Sequence, residues 1–394
     1  MLTALHVWDQ RTVNAAKDLH WALEREGVNS VQCIRELEVK TGAVIPRTFA
    51  VRQVRADAAP TAFLERLWAR AWRPLDWLSF ARVVERRIRE VRPDVVHAHF
   101  GMTGWKISGL VERLRLPLVV SFYGVDVSQV IHEPRWQRRY QRLFRRAERL
   151  VVLCDAAADR LAALGCPRAK LRVWNHPLDL AAYQFRQRPP NTPTRLLIGA
   201  RFVEKKGYPF LLQACASLRR QGRDITLTAV GYGPGQRRVR EYADELGLGD
   251  RFRLIDTAGV ANFDEFYDGI LRDHDIFVLP STTAKSGDDE GGPALSLVLA
   301  QASGLPVICT PFVGSERSVV DNETGLLCRQ DDSGSLASRI AELIDHPDVG
   351  GRLAATANAL VRSAFGLETQ AAQMHAIYRE AVVDRDPIPD VILS

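Results

Sequence analysis

"DIFVLPSTTAKSGDDEGGPALSLVLAQASGLPVICT", residues 275–310, holds in one run every part of a strand–loop–helix–strand unit. The apolar stretch that ends at Pro280 has the length and branched content of a buried strand. A polar loop continues to Glu290-Gly291-Gly292-Pro293, an apolar helical stretch follows, and "PVICT" reads as a second buried strand. Two strands joined through a helix lie parallel, and a parallel sheet is covered by helices on both faces. This unit therefore sets the class as α/β.

The same alternation extends in both directions. Upstream lie the strand-like runs "RLLIGA", "DITLTAVG" and "RFRLID"; before them come "DVVHAHF" (94–100), "PLVVSFYG" (117–124) and "RLVVLC" (149–154). Helical patterns separate them, among them "LDWLSFARVVERRIREV" (75–91) and "EPRWQRRYQRLFRRAERL" (133–150). A chain of 394 residues exceeds what one core usually fills. The proline-rich "RQRPPNTPT" (186–194) is the best boundary. The expectation is two Rossmann-like doubly wound domains facing a central cleft, over residues 1–187 and 188–370, with a C-terminal helix and tail over 371–394. Such sheets bind ligands outside the carboxyl ends of their strands.

Charge divides the two halves. Residues 1–190 carry 32 basic and 19 acidic residues, net +13, whereas the remainder carries 21 and 28, net −7. A basic half faces something anionic. No zinc-finger spacing or aromatic RNA-binding signature is present, so nucleic acid is not expected; a membrane surface or a phosphate-bearing acceptor fits better. The six cysteines are scattered, without a C-x-x-C pair, and read as reduced core residues of a cytoplasmic protein. The start "MLTALHVWDQ" lacks the pattern of a secretory signal, and no apolar run is long enough to span a bilayer.

Three segments carry candidate chemistry. In "GARFVEKKGYPFLL" (199–212), Arg201 and Lys206 stand at the carboxyl end of a strand. A planar guanidinium and a mobile ammonium suit a pyrophosphate. Gly207 permits a tight turn, and Lys205 reads as the solvated neighbour. In "GYGPGQ" (231–236), Gly231 and Gly233 follow a strand and let a phosphate approach backbone amides, although the dinucleotide fingerprint is incomplete. In the opening stretch, Glu290 is suited to sugar hydroxyls, and the amides of Gly291 and Gly292, before Pro293, to a phosphate. An acidic loop that merely caps a helix is the competing reading. Asp288 and Asp289 are weak evidence for a metal, and none is assigned.

The order "GARFVEKKG", "GYGP", "LPS…EGGP…ASGLPVI", "ETGLL" resembles the retaining family-4 (group 1) glycosyltransferases, which have the GT-B architecture of two Rossmann-like domains. The resemblance covers about residues 195–330 and continues more loosely through "VHAHFG", "SFYGVD" and "LRVWNHPLDLAAY". It implies a C-terminal helix packing back on the first domain, and sugar transfer from a nucleotide diphosphate donor with retention, needing no cofactor or metal. It implies that Arg201 and Lys206 hold the donor pyrophosphate and that Glu290, first glutamate of an E-x7-E motif, contacts the donor sugar. Gly231, Gly233, Gly291, Gly292 and Pro293 complete the donor side. His97, His99, Tyr123 and Asp126 are the acceptor or reaction-centre candidates, with buried structural histidines the alternative for the first two; His176 reads as structural.

The departures are specific. Val298, followed by Leu299, stands where the family has its second glutamate; Tyr123 replaces a histidine; and the N-terminal stretch has no Gly-Gly. The expected function is a retaining glycosyltransferase acting on a glycan or polyprenyl-linked acceptor in cell-surface polysaccharide biosynthesis. It would work in the cytoplasm, peripheral on the inner face of an anionic membrane. The alternative is an inert glycosyltransferase-like binding or scaffold protein. For the membrane, residues 63–91 alternate Trp68, Trp72 and Trp77 with Arg66, Arg70, Arg73 and Arg82, interrupted by Pro74.

Overall fold

The computed structural model describes residues 2–8, 20, 22–34, 80–260 and 262–384. The Trp68, Trp72 and Trp77 stretch lies outside the described residues. Two six-stranded, wholly parallel sheets form the framework. The first contains β1 (Thr3–Trp8), β2 (Asn29–Ile34), β3 (Val95–His99), β4 (Leu118–Ser121), β5 (Arg149–Val152) and β6 (Leu171–Val173), in the order β2-β1-β3-β4-β5-β6. The second contains β7 (Thr194–Gly199), β8 (Ile225–Gly231), β9 (Phe252–Asp256), β10 (Ile276–Leu279), β11 (Val307–Cys309) and β12 (Leu326–Leu327), in the order β12-β11-β10-β7-β8-β9. Most central strands are buried on both faces, which is why they read as continuous apolar runs.

Strand order places the sites. The direction of winding reverses between β1 and β3 in the first sheet and between β7 and β10 in the second. At such a switch point the loops leaving the two strands diverge to opposite faces and open a crevice. The loops after β7 and β10 are the Arg201–Lys206 and Ser281–Pro293 segments. β1 and β3 end at Trp8 and His99.

The segment after Tyr183 runs without regular structure to β7, tied to the second domain by Arg186 N–H and the Arg188 guanidinium, both donating to the Ser303 carbonyl. The chain returns at its far end. The helix Pro347–Phe365 packs on Leu295–Ala302 of the second domain. At Gly366 the backbone bridges Leu178, and the helix Leu367–Val383 then lies on β3 and β4 of the first domain. Met374, Ile377 and Tyr378 join Val95, Val119, Val151 and Trp174 in one buried cluster. At its outer end Glu380 accepts from both Arg149 and Arg172. All six cysteines are free and buried. Among the described residues no helix is long and apolar enough to cross a membrane.

Candidate active site

The crevice of the second domain is built by a turn that only glycine accommodates. Gly207 adopts φ 66°, and a side chain there would sit 1.8 Å from the Pro280 carbonyl oxygen. The β7 loop is therefore pressed directly onto the end of β10. This brings the Lys206 ammonium to 2.6 Å from Glu290 Oε1, which also accepts at 2.7 Å from the Ser281 hydroxyl. Burial alone would raise the Glu290 carboxyl, but the Lys206 charge and hydrogen bond, the Ser281 hydroxyl and the Lys205 charge together hold it below its ordinary value. Arg201, on the same loop, is exposed, and its side chain makes no hydrogen bond or ion pair among the described residues.

Lys205 is not the solvated neighbour its position suggested. It is buried, donates to the Asp289 carbonyl at 2.6 Å and pairs with Asp288 at 3.1 Å. The short 3-10 turn Glu204–Lys206 turns both lysines inward. Asp288 also accepts from Ser128, and Asp289 is gripped by Arg160, both from the first domain. These acids bridge the domains and have no need of a metal.

The glycines Gly291 and Gly292 meet the first domain. Gly291 (φ 65°) packs on the Gly124 backbone, and a side chain at Gly124 would sit 2.6 Å from the Glu290 carbonyl oxygen. Gly292 rests on Leu153, and buried Pro293 follows against Gly314. Gly231 and Gly233 abut the Ala200 and Phe202 backbones, locking the β8 loop to the Arg201 loop and leaving Tyr232 exposed between them. Val298 is fully buried in the core, and Leu299 is half-buried against it. The position of a second glutamate is thus apolar.

At the other switch point His97 and His99, two residues apart on β3, share one face beside His6 of β1, which is in register with His97. All three are fully buried. A chain of short contacts runs from Ser121 Oγ to His97 Nε2 (2.8 Å) and from His97 Nδ1 to Tyr378 Oη (2.7 Å). It continues from Tyr378 to His6 Nε2 (3.4 Å), from His6 Nδ1 to His99 Nε2 (3.0 Å), and from His99 Nδ1 to Tyr123 Oη (2.7 Å). A neutral imidazole has one donor and one acceptor nitrogen. Fixing one ring's tautomer therefore orients every neighbour up to Tyr123. Burial keeps the rings neutral: it lowers His97 to about 3 and holds His6 and His99 well below the ordinary value, with the neighbouring imidazoles adding to the effect.

The three imidazoles also have ligand atoms within 4.8 Å of one another, the composition of a metal site. Every one of their nitrogens already has a partner, so the set is complete as a hydrogen-bonded group. Tyr123 sits between His99 and His176, whose ring meets it edge-on at 6.3 Å and whose Nδ1 has no hydrogen-bond partner among the described residues. Asp126 is fully buried, accepting from the Tyr123 amide and the Tyr140 hydroxyl, and burial raises it to about 7 against those bonds. It organises the Tyr123 turn from beneath. His6, Tyr378 and Ser281 carry no assignment from sequence. Only His6, alternating in "ALHVW" as His97 does in "VVHAH", carried a readable signal.

Comparison with known proteins bears on these features. The family model described as glycosyl transferases group 1 matches residues 181–359, and that described as glycosyltransferase family 4 matches 16–182. The chain is 34% identical over 258 residues to WcaL of Salmonella typhimurium, provisionally assigned as a colanic acid biosynthesis glycosyltransferase; the match covers 64% of this chain and 62% of that one. It is 30% identical over 269 residues to the amylovoran biosynthesis glycosyltransferase AmsK of Erwinia amylovora, covering 68% and 65%. The matches therefore span less than two thirds of either relative. Among solved structures, sucrose-phosphate synthase from Thermosynechococcus elongatus superposes with a TM-score of 0.77 at 18% identity, covering 98% of this chain and 100% of that one. Anabaena HepE, solved in complex with UDP, gives 0.71 at 16%, covering 95% and 99%. At such identities the likeness carries the fold, which is GT-B.

Proposed function

The chain belongs to the group 1 glycosyltransferases, and from that premise we propose that it transfers a sugar from a nucleotide diphosphate donor to a glycan or polyprenyl-linked acceptor. The proposal includes retention at the anomeric carbon, no metal or other cofactor, and a role in cell-surface polysaccharide biosynthesis at the cytoplasmic side of a membrane. The observation that carries it is the Lys206–Glu290–Ser281 contact at the switch point, with the exposed Arg201 on the same loop as Lys206. The names of WcaL and AmsK support the polysaccharide context, the UDP in HepE supports a nucleotide diphosphate, and six reduced cysteines fit the cytoplasm.

Without a ligand, Lys206 and Glu290 neutralise each other. An arriving diphosphate competes for the ammonium, so Lys206 turns toward phosphate and Glu290 is released to accept sugar hydroxyls. As the sugar–oxygen bond breaks, negative charge grows on the departing phosphate. Arg201 and Lys206 stabilise it as positive charges placed where that charge develops. No side chain is assigned as general base; the leaving phosphate accepts the proton of the acceptor hydroxyl.

The second reading, an inert glycosyltransferase-like binding protein, is favoured by the apolar Val298 and Leu299. One experiment separates the two. Melting is followed with UDP, GDP, ADP and their sugars, because a ligand at a hundred times its Kd stabilises by about 2.7 kcal/mol. Turnover is then measured with the stabilising donor. Glu290→Gln is expected to keep the diphosphate-induced shift and lose turnover. Loss of the shift instead makes Glu290 a loop-organising residue. Stabilisation without turnover in the parent protein selects the inert reading, and no stabilisation by any nucleotide diphosphate overturns both.

A further inference from the structure

The helix Pro134–Arg146 covers the outside of the first domain with a sharply divided surface. Trp136, Tyr140, Leu143 and Phe144 face inward and are buried. Arg135, Arg138, Arg142 and Arg145 are exposed. Their spacing of three and four residues puts them on one stripe roughly 15 Å long, at about 1.5 Å per residue. Arg135 pairs with Glu133, but the side chains of Arg138, Arg142 and Arg145 make no ion pair or hydrogen bond among the described residues. Like charges one turn apart repel, so this stripe costs folding stability with no side-chain partner among the described residues to offset it.

Beside the stripe lies a groove of about 930 Å³, lined by Trp105 and Leu110 together with Arg82, Lys106, Arg142 and Arg145. The acids at its edge are already committed, Glu112 to Arg146 and Glu85 to Arg113 and Arg89. Arg139 is stacked over Trp105 at 4.2 Å and Trp136 at 4.7 Å, which fixes the groove wall. The helix starts next to the segment whose Gln129 meets Ser286 across the cleft, so the stripe leads from the cleft edge down the flank of the first domain.

We propose that this face, the Arg138–Arg142–Arg145 stripe with the Trp105 groove, is where the protein docks on an anionic lipid bilayer. An uncompensated row of guanidinium groups beside an aromatic groove matches a plane of headgroup phosphates at a hydrophobic boundary. A bilayer here lies alongside the cleft mouth, within reach of a lipid-linked acceptor. For its purpose the inference rests on that reading of the acceptor, but its test needs neither donor nor acceptor.

Co-sedimentation is measured with vesicles of phosphatidylcholine alone and of phosphatidylcholine with phosphatidylglycerol, at rising salt. Arg138→Gln, Arg142→Gln and Arg145→Gln are combined in one protein, whose melting temperature and nucleotide response are recorded alongside. Binding is expected only to the anionic vesicles, weakening with salt. The triple variant, still folded, should lose on the order of a hundredfold in partition coefficient, since each basic residue near such a surface contributes comparably. Absence of binding overturns the proposal, as does binding by the triple variant equal to the parent's. Binding of inorganic polyphosphate without binding of vesicles assigns the face to a soluble polyanion and also overturns it. A protein that binds vesicles but no nucleotide keeps the surface and loses the transferase.

Discussion

Lys206→Ala perturbs the centre of the second domain's crevice in a way that can be followed through pH. The Glu290 side chain is only 8% exposed, and Lys206 is the cation on its Oε1. In the parent protein burial acts to raise the Glu290 carboxyl, and Lys206, Ser281 and Lys205 together overcome it, so the folded value lies below the unfolded one. Glu290 therefore contributes stability that is present above the unfolded pKa and is lost as pH falls through the folded one. Without Lys206 burial dominates and the folded value rises above the unfolded one. The sign then reverses, and the variant loses stability as pH rises through the carboxylate range. Leaving a buried charge unpaired costs about 3–5 kcal/mol; the surviving Ser281 bond and the Lys205 charge put this site near about 3 kcal/mol at pH near 8. For a domain of this size that is roughly 6–12 °C in melting temperature. As pH falls through the carboxylate range and the raised carboxyl takes up its proton, the difference from the parent should shrink to about 1 kcal/mol of lost packing. Scanning fluorimetry of parent, Lys206→Ala and Lys206→Ala/Glu290→Gln across this range gives the answer. The double variant should recover most of the loss at the higher pH. An equal loss at both ends of this range, or a double variant no more stable than the single, would refute the coupling.

Two further outcomes are expected. Arg201→Ala should weaken a nucleotide diphosphate by roughly ten- to a hundredfold while leaving the nucleoside unchanged, because a charged hydrogen bond contributes about 1.5–3 kcal/mol; calorimetry with both ligands checks this, and equal losses for the two would move Arg201 away from the phosphates. Gly124→Ala should separate the two cleft loops, since its new methyl group would lie 2.6 Å from the Glu290 carbonyl oxygen and backbone cannot yield as a side chain can. Turnover is expected to fall by tenfold or more with the fold retained, as small misplacements of reacting groups cost rate steeply; unaltered kcat and KM would show that closure at this contact is not required.

Much of the framework was legible because it rests on local physics. Residues 275–310 alternate strand, loop and helix on a scale set by hydrogen bonding within a few residues, and parallel strands buried on both faces announce themselves as apolar runs. The strands beginning near residues 94, 117, 149, 194, 225, 252, 276 and 307 all lie where periodicity put them. β6 and β12, of three and two residues, are too short to show a period, and β1 and β2, six residues each, were not picked out from sequence either. The residue types of the donor loops were equally readable: two cations, a carboxylate and glycines at strand ends.

Sequence alone set the class, the repeat of one architecture and the chemical character of the crevice, since each follows from neighbours along the chain. Tertiary structure decided which groups meet. Lys205 and Asp288 are 83 residues apart, and whether that lysine is solvated or buried depends on how the β7 loop lands on the end of β10. His97 and Tyr378 are 281 residues apart and touch only because the last helix crosses back over β3 and β4. The arginines of 134–146 are visible in any reading, but only the packed fold leaves three of their side chains without a partner among the described residues. Local pattern reports what a residue can do; sheet order and domain closure determine what stands within 3 Å of it, and that distance sets its charge and its role.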